Sequence, residues 1–261
     1  MSKLAGVLKQ LKKIFAPFIT AGDPDLETTK KLILAMEEAG ATLVELGIPF
    51  SDPMAEGPVI QEADLRALSA GCTTDKVFDM IREVRKETDI PLVFLTYANP
   101  IFHYGTDRFY ARCAEVGVDG TIVPDVPYEE REELEAACEK YGVDRITMIA
   151  PTSEDRIQEI ARDAKGYVYI VSSLGVTGVR SEITTDIGTI YRKIREVTDT
   201  PAAVGFGIST PKQAAEMARL SDGAIVGSAI VKIVAEYGRD CVTPVKEYVK
   251  SMVDAVNHCG E

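Results

Sequence analysis

The chain has 261 residues, 46% hydrophobic and 27% charged, with a formal net charge of −12. The apolar share supplies a large core, and the length matches the roughly 250 residues of one eight-fold α/β barrel. The acidic balance argues against nucleic-acid binding, which needs clustered Lys and Arg to displace counterions. Residues 1–15 set Lys3, Lys9, Lys12 and Lys13 among apolar residues, and no long apolar core or cleavage site follows. They do not read as a signal peptide, and no later run approaches the roughly 18 apolar residues of a membrane span. The chain then alternates β-type runs with helical segments. Strands are predicted at Ile14–Thr20, Thr42–Leu46, Pro91–Thr96, Gly120–Val123, Arg145–Ile149, Tyr167–Val171, Pro201–Val204 and Gly223–Val226. Near-continuous apolar runs suit strands of a parallel sheet covered by helices. Between them, apolar residues recur at helical spacing: Leu32, Ala35, Met36 and Ala39; Val77, Met80, Ile81 and Val84; Leu134, Ala137, Cys138 and Tyr141; Ile187, Ile190, Tyr191 and Ile194. Each set lays one apolar stripe against a sheet. A further helix is expected from Val245 to Val256.

This order predicts an α/β chain, a single (β/α)8 TIM barrel with extra helices, spanning 1–261 as one domain. No Pro/Ser-rich linker divides it. A doubly wound sheet is the alternative. Its dinucleotide fingerprint needs three glycines after a strand, and Gly205-Phe206-Gly207 lacks the third. Five cysteines without a CxxC pair suggest free thiols in a reducing cytoplasm. His103 and His258 lie in no metal-ligand spacing, so no metal is expected.

Two connections are long: Gly47 to about Pro58, and Ser172 to about Thr185. Barrel active sites are built from such loops at the strands' C-terminal ends. Glu45 ends the second strand in Leu43-Val44-Glu45-Leu46. Alternation puts Leu43 and Glu45 on one face, and if Val44 packs toward the helices Glu45 points into the barrel mouth. A carboxyl there is costly unless paired or functional, and desolvation raises its pKa toward that of an acid/base. Glu56, eleven residues on, is either an exposed loop acid or a second carboxyl folded back over the mouth; spacing favours the exposed acid. Gly205-Phe206-Gly207-Ile208-Ser209 follows strand seven, and Gly227-Ser228 opens a helix after strand eight. Glycines admit an anion to the backbone, and a helix N-terminus offers free N–H groups, so the pair points to phosphate. Gly175-Val176-Thr177-Gly178 could close over it. Phe18, Tyr97 and Tyr169 either fill the core or form a flat slot for an aromatic substrate.

Taken together, these motifs resemble the tryptophan synthase alpha subunit family. The resemblance runs from Pro17 to about Lys232. It is carried by Pro17-Phe18-Ile19-Thr20-Ala21-Gly22-Asp23-Pro24, Glu45-Leu46-Gly47-Ile48-Pro49-Phe50-Ser51-Asp52-Pro53, Gly57-Pro58 with Ile60-Gln61, and Tyr97-Ala98-Asn99-Pro100. Asp125-Val126-Pro127, Gly175-Val176-Thr177-Gly178, Gly205-Phe206-Gly207-Ile208 and Gly227-Ser228-Ala229-Ile230-Val231 complete it. The resemblance implies a lyase that splits indole-3-glycerol phosphate into indole and glyceraldehyde 3-phosphate by retro-aldol cleavage, with no cofactor on this chain. It implies Glu45 as general acid/base and Glu56 as the carboxyl facing the indole N–H. Phe18, Leu95, Tyr97 and Ile149 would line the indole slot, with Tyr169 near Glu45. Gly178, Phe206, Gly207, Gly227 and Ser228 would bind phosphate, and Thr177 would help close the strand-six loop. The partner implied is a beta subunit carrying pyridoxal phosphate, in an αββα heterotetramer, with Asp52, Pro53, Asn99 and Pro127 as candidate contacts. The chain departs from the family pattern at Glu56, where Asp is usual, at Ser173, where many relatives carry Arg, and at Pro124, where Ala is common. Two rival readings are another phosphate-binding barrel lyase or isomerase, which needs no aromatic slot, and an alpha-like chain that only activates its partner.

Overall fold

The computed structural model describes residues 3–151, 156–172 and 186–260. Its strands are β1 (Ile14–Thr20), β2 (Val44–Gly47), β3 (Leu92–Leu95), β4 (Gly120–Ile122), β5 (Asp144–Ile149), β6 (Lys165–Val171), β7 (Ala202–Gly205) and β8 (Gly223–Val226). All pair in parallel in chain order, and β8 returns to β1, so the barrel closes and the doubly wound alternative falls. The helices are α1 (Lys3–Leu8), α2 (Leu26–Glu38), α3 (Pro58–Ser69), α4 (Thr74–Val84), α5 (Ala98–Tyr104) and α6 (Thr106–Val116). After them come α7 (Glu132–Tyr141), α8 (Ile157–Arg162), α9 (Ile187–Arg195), α10 (Pro211–Leu220), α11 (Ser228–Tyr237) and α12 (Val242–Asn257).

The apolar stripes expected from spacing are largely the buried faces. On α4, Val77, Met80, Ile81 and Val84 are buried with Phe78; on α9, Ile187, Ile190 and Ile194. Capping residues set the starts. The Asp25 carboxylate accepts from Thr28 N at 2.7 Å to open α2, a bond whose loss typically costs about 1 kcal/mol. The C-terminal α12 turns Val245, Val249, Met252 and Val256 inward and packs on α2 and α10.

Alternation along the strands divides the core into two layers. Phe15, Ile19, Val44, Leu46, Leu92, Phe94, Val168 and Ile170 face the helices. Ile14, Ala16, Leu43, Val93, Ile122, Ile146, Tyr167 and Ile225 fill the barrel. Leu4 and Leu8 of α1 join this inner layer, and α1 packs against β6. Burying each of these leucines stabilises the fold by roughly 1.5–3 kcal/mol. Among the described residues, no helix is long and apolar enough to cross a membrane.

Candidate active site

A cleft of about 650 Å³, open to solvent on one side, lies at the C-terminal ends of the strands. The pairing register sets Phe18 of β1 beside Glu45 of β2, and Glu45 beside Val93 of β3. Val44 and Leu46 take the helix-facing side, so Glu45 turns into the barrel. It is 1% exposed. Tyr167 Oη donates to Glu45 Oε1 at 2.5 Å. Burial pushes the Glu45 carboxyl up to about 8, while the Tyr167 hydrogen bond opposes that rise. A carboxyl titrating there can both hold and release a proton near neutral pH.

Glu56 is also buried, at 4% exposure, and lines the same cleft. Its position comes from the loop that carries it. Ala55 N donates to Tyr97 Oη at 2.9 Å, and Gln61 Nε2 donates to Glu56 O at 2.8 Å. The Phe50 and Tyr97 rings pack with centroids 5.6 Å apart. These contacts draw the loop over the barrel mouth, so the exposed-acid reading that spacing favoured does not hold. Burial, and secondarily the charge of Asp125, push the Glu56 carboxyl up to about 7, against the lowering effect of the Glu56 and Ala55 backbone. Glu56 Oε2 is buried with no hydrogen-bond partner among the described residues.

Another part of the cleft wall suits an anion. Phe206 and Gly207 both adopt positive φ, 75° and 76°, a conformation that costs a residue with a Cβ. Ser172 Oγ donates to Phe206 O at 2.5 Å and ties this turn down. Two helices begin nearby and differ at their starts. The first turn of α10 is closed by its own capping box, Thr210 with Gln213. At α11 the N-cap is Gly227, which has no side chain to offer. Gly227 and Ser228 line the cleft. First-turn N–H groups without intrahelical acceptors, and the helix dipole, favour negative charge at such a place.

Phe18, Leu95, Tyr169, Phe206, Gly207, Gly227 and Ser228 thus line one cleft with Glu45 and Glu56. Tyr97 stands behind it, holding the Glu56 loop. Ile149 is buried among the helix-facing residues, and its neighbour Met148 lines the cleft instead. The physical reason is strand parity, since only alternate residues of β5 face inward. Thr177 and Gly178 lie outside the described residues, as does Ser173. Sequence reasoning missed Tyr167, Met148, Ile60 and Ile225. Tyr167 was within reach, because it shares the inward face of β6 with Tyr169, two residues on. Tyr169 stands edge-on to Phe206, with centroids 6.1 Å apart. Its hydroxyl occupies space that only a glycine at 205 leaves free: a Cβ there would lie 2.1 Å from Tyr169 Oη.

Fold and cleft define a class: a (β/α)8 barrel built for acid–base chemistry on a small, largely apolar substrate with an anionic end. A family model described as "Tryptophan synthase alpha chain" matches residues 4–257. The tryptophan synthase alpha chain of Lacticaseibacillus casei is 50% identical over 257 residues, covering 98% of this chain and 96% of that one. A crystal structure of the alpha chain from Legionella pneumophila superposes with a TM-score of 0.89 at 37% identity, covering 100% of this chain and 99% of that one. A chain from the tryptophan synthase complex of Pyrococcus furiosus superposes at 0.85 with 34% identity, covering 94% and 100%. This chain belongs to the tryptophan synthase alpha chain family.

Proposed function

We propose that Glu45 and Glu56 are the two working carboxyls of the alpha reaction, the retro-aldol cleavage of indole-3-glycerol phosphate to indole and glyceraldehyde 3-phosphate. The observation that carries this reading is the pair of buried carboxyls in one cleft that also holds a helix start with no side-chain cap. Glu45 delivers a proton to the ring carbon that bears the glycerol chain, and the positive charge this creates rests largely on the ring nitrogen. Glu56, as the anion, stabilises that charge in a site shielded from water, where such stabilisation is worth most. Glu45, left as the carboxylate, then takes the proton of the adjacent hydroxyl, and the carbon–carbon bond breaks. Its electron pair returns to the ring, indole leaves, and the remaining fragment becomes the aldehyde. A well-placed acid/base contributes roughly 10²–10⁴-fold to such a step.

Phe18, Leu95, Met148 and Ile60 supply apolar walls for the ring. The Phe206-Gly207 turn and Gly227-Ser228 receive the phosphate, with Thr177 and Gly178 closing from the strand-six loop. The chain acts as a single cytoplasmic domain without a cofactor of its own. It works with a beta subunit that takes up the indole for tryptophan biosynthesis, in an αββα assembly. Asp52, Pro53, Asn99 and Pro127, on loops at the barrel mouth, are the contacts proposed for that partner. The test is indole release from indole-3-glycerol phosphate by the purified chain, alone and with a beta subunit. Release that rises when the beta subunit is added is expected; no release in either case would overturn the reading.

A further inference from the structure

Gly47 closes β2, two residues beyond Glu45, so alternation puts positions 43, 45 and 47 on the inward face of that strand. Leu43 and Glu45 obey it, one packed inside the barrel and the other lining the cleft. A side chain at 47 would therefore enter the barrel mouth. The backbone does not demand glycine here: Gly47 pairs as an ordinary strand residue with Thr20 and Leu95, outside the positive-φ region. What the position demands is space. A Cβ at 47 would lie 2.8 Å from Phe18 Cζ and 3.0 Å from Phe18 Cε2, well inside the roughly 3.5–4.0 Å of a carbon–carbon contact. The ring of Phe18 thus rests its far edge on the bare end of β2. Its near end faces a second glycine: a Cβ at 227 would lie 3.3 Å from Phe18 Cδ1 and 3.5 Å from Phe18 Cβ. Seated between them, Phe18 is 7% exposed. Ile60 and Ala63 of α3 and Val231 of α11 pack with it, Leu95 adjoins the same cluster, and its open side lines the cleft.

We propose that Gly47 is a positioning residue for the ring slot: by carrying no side chain it lets Phe18 lie back on the end of β2, and so sets the width of the space that an indole-sized ring enters. This rests on the reading of the cleft given above. A methyl at 47 is tolerable to the fold, because what it meets is the far edge of a side chain; the nearest backbone atom of the neighbouring strand, Ile19 O, stands at an ordinary 3.7 Å. The Phe18 edge must retreat by roughly 0.7 Å or more to regain contact distance. Packed against α3 and α11, the ring yields toward the cleft, the side left open to it. The wall of the slot then advances on the substrate ring, while the phosphate end beside Gly227 keeps its shape. Selectivity follows from the same contact, since one methylene more or less in an apolar pocket changes recognition by about 10–200-fold.

Indole and glycerol phosphate, each titrated alone into the full chain by calorimetry, separate the two ends of the cleft. Gly47→Ala should weaken indole binding about tenfold or more and change glycerol phosphate binding by less than about twofold. In a Phe18→Leu background, which removes the ring edge, adding Gly47→Ala should cost indole less than about twofold. A chain that Gly47→Ala unfolds and Phe18→Leu restores reports the same contact; one that Phe18→Leu fails to restore contradicts it. Methyl NMR reads the ring directly. Gly47→Ala should move the Ile60 and Val231 methyl signals, which sit in the field of the Phe18 ring, and leave those of Ile194 on α9 in place. Unchanged indole affinity in Gly47→Ala, an equal loss for both ligands, a loss undiminished by Phe18→Leu, or unmoved Ile60 and Val231 methyls would each overturn the proposal. The NMR arm needs no ligand, so failure of the indole-slot reading, seen as no indole binding to wild type, is told apart from failure of the Gly47 contact.

Discussion

Replacing Tyr167 by phenylalanine removes one hydroxyl from the floor of the cleft and leaves the ring that packs inside the barrel. The hydroxyl donates to Glu45 Oε1 at 2.5 Å, and both residues are almost wholly buried. A hydrogen bond to a charged group is worth roughly 1.5–3 kcal/mol, against about 1 kcal/mol for a neutral pair. The difference falls on the ionised form of Glu45, because the bond favours the carboxylate over the acid. At about 1.4 kcal/mol per pK unit, its loss should raise Glu45 by about one unit from its present position near 8. The pH dependence of kcat/KM, which reports ionisations of the free enzyme, is the assay. The limb governed by Glu45 should move to higher pH by about one unit, while thermal stability at pH 7, where Glu45 is mostly protonated, drops by only about 1 kcal/mol. A limb that stays in place, or moves down, would refute the argument that Tyr167 holds Glu45 toward its charged form.

Glu45→Gln should abolish most indole release while leaving substrate binding, since the amide cannot cycle a proton; more than about a tenth of wild-type turnover would remove Glu45 from the mechanism. The same variant should change how stability responds to pH. Because the folded protein holds the Glu45 proton up to about 8 rather than the ordinary 4.5, stability falls as pH rises through that window, by an amount on the order of a few kcal/mol. Thermal melts of Glu45→Gln should show a flatter profile there, and an unaltered slope would contradict the burial argument. Gly227→Asp should sharply weaken binding of glycerol phosphate, by clash and like-charge repulsion at the α11 start; an unchanged dissociation constant places the phosphate elsewhere. Glu56→Ala should cut turnover by orders of magnitude and Glu56→Asp should keep part of it, whereas equal turnover in wild type and Glu56→Ala leaves a one-carboxylate mechanism.

The barrel was legible because its two periodicities are simple. Each of the eight expected strands is present; the first and last keep their expected bounds, and the other six shift at one or both ends. Strand two was expected from Thr42, but Thr42 spends its hydroxyl on β1, accepting from Phe15 N and donating to Phe15 O. Regular pairing therefore starts at Val44. Strand three begins at Leu92 rather than Pro91, because proline has no N–H for the ladder. Parity alone turned Glu45 inward; the same rule, applied to β5 and β6, separates Met148 from Ile149 and brings Tyr167 in beside Tyr169. The burial of Glu56 was not legible, because it depends on Tyr97, 41 positions away, bonding the Ala55 backbone.

The contrast between α10 and α11 has a consequence for how the molecule is finished. One helix brings its own cap; the other begins on a glycine at the cleft, without a side-chain cap. At the proposed phosphate site, the first amides of that helix gain an acceptor from the ligand, which completes a helix start that no side chain caps. Glycerol phosphate should therefore slow hydrogen exchange at the first amides of α11 and leave those of α10 unchanged, and the melting temperature should climb with the logarithm of its concentration above the dissociation constant. On that reading, occupancy of the site and integrity of the first turn of α11 are one equilibrium.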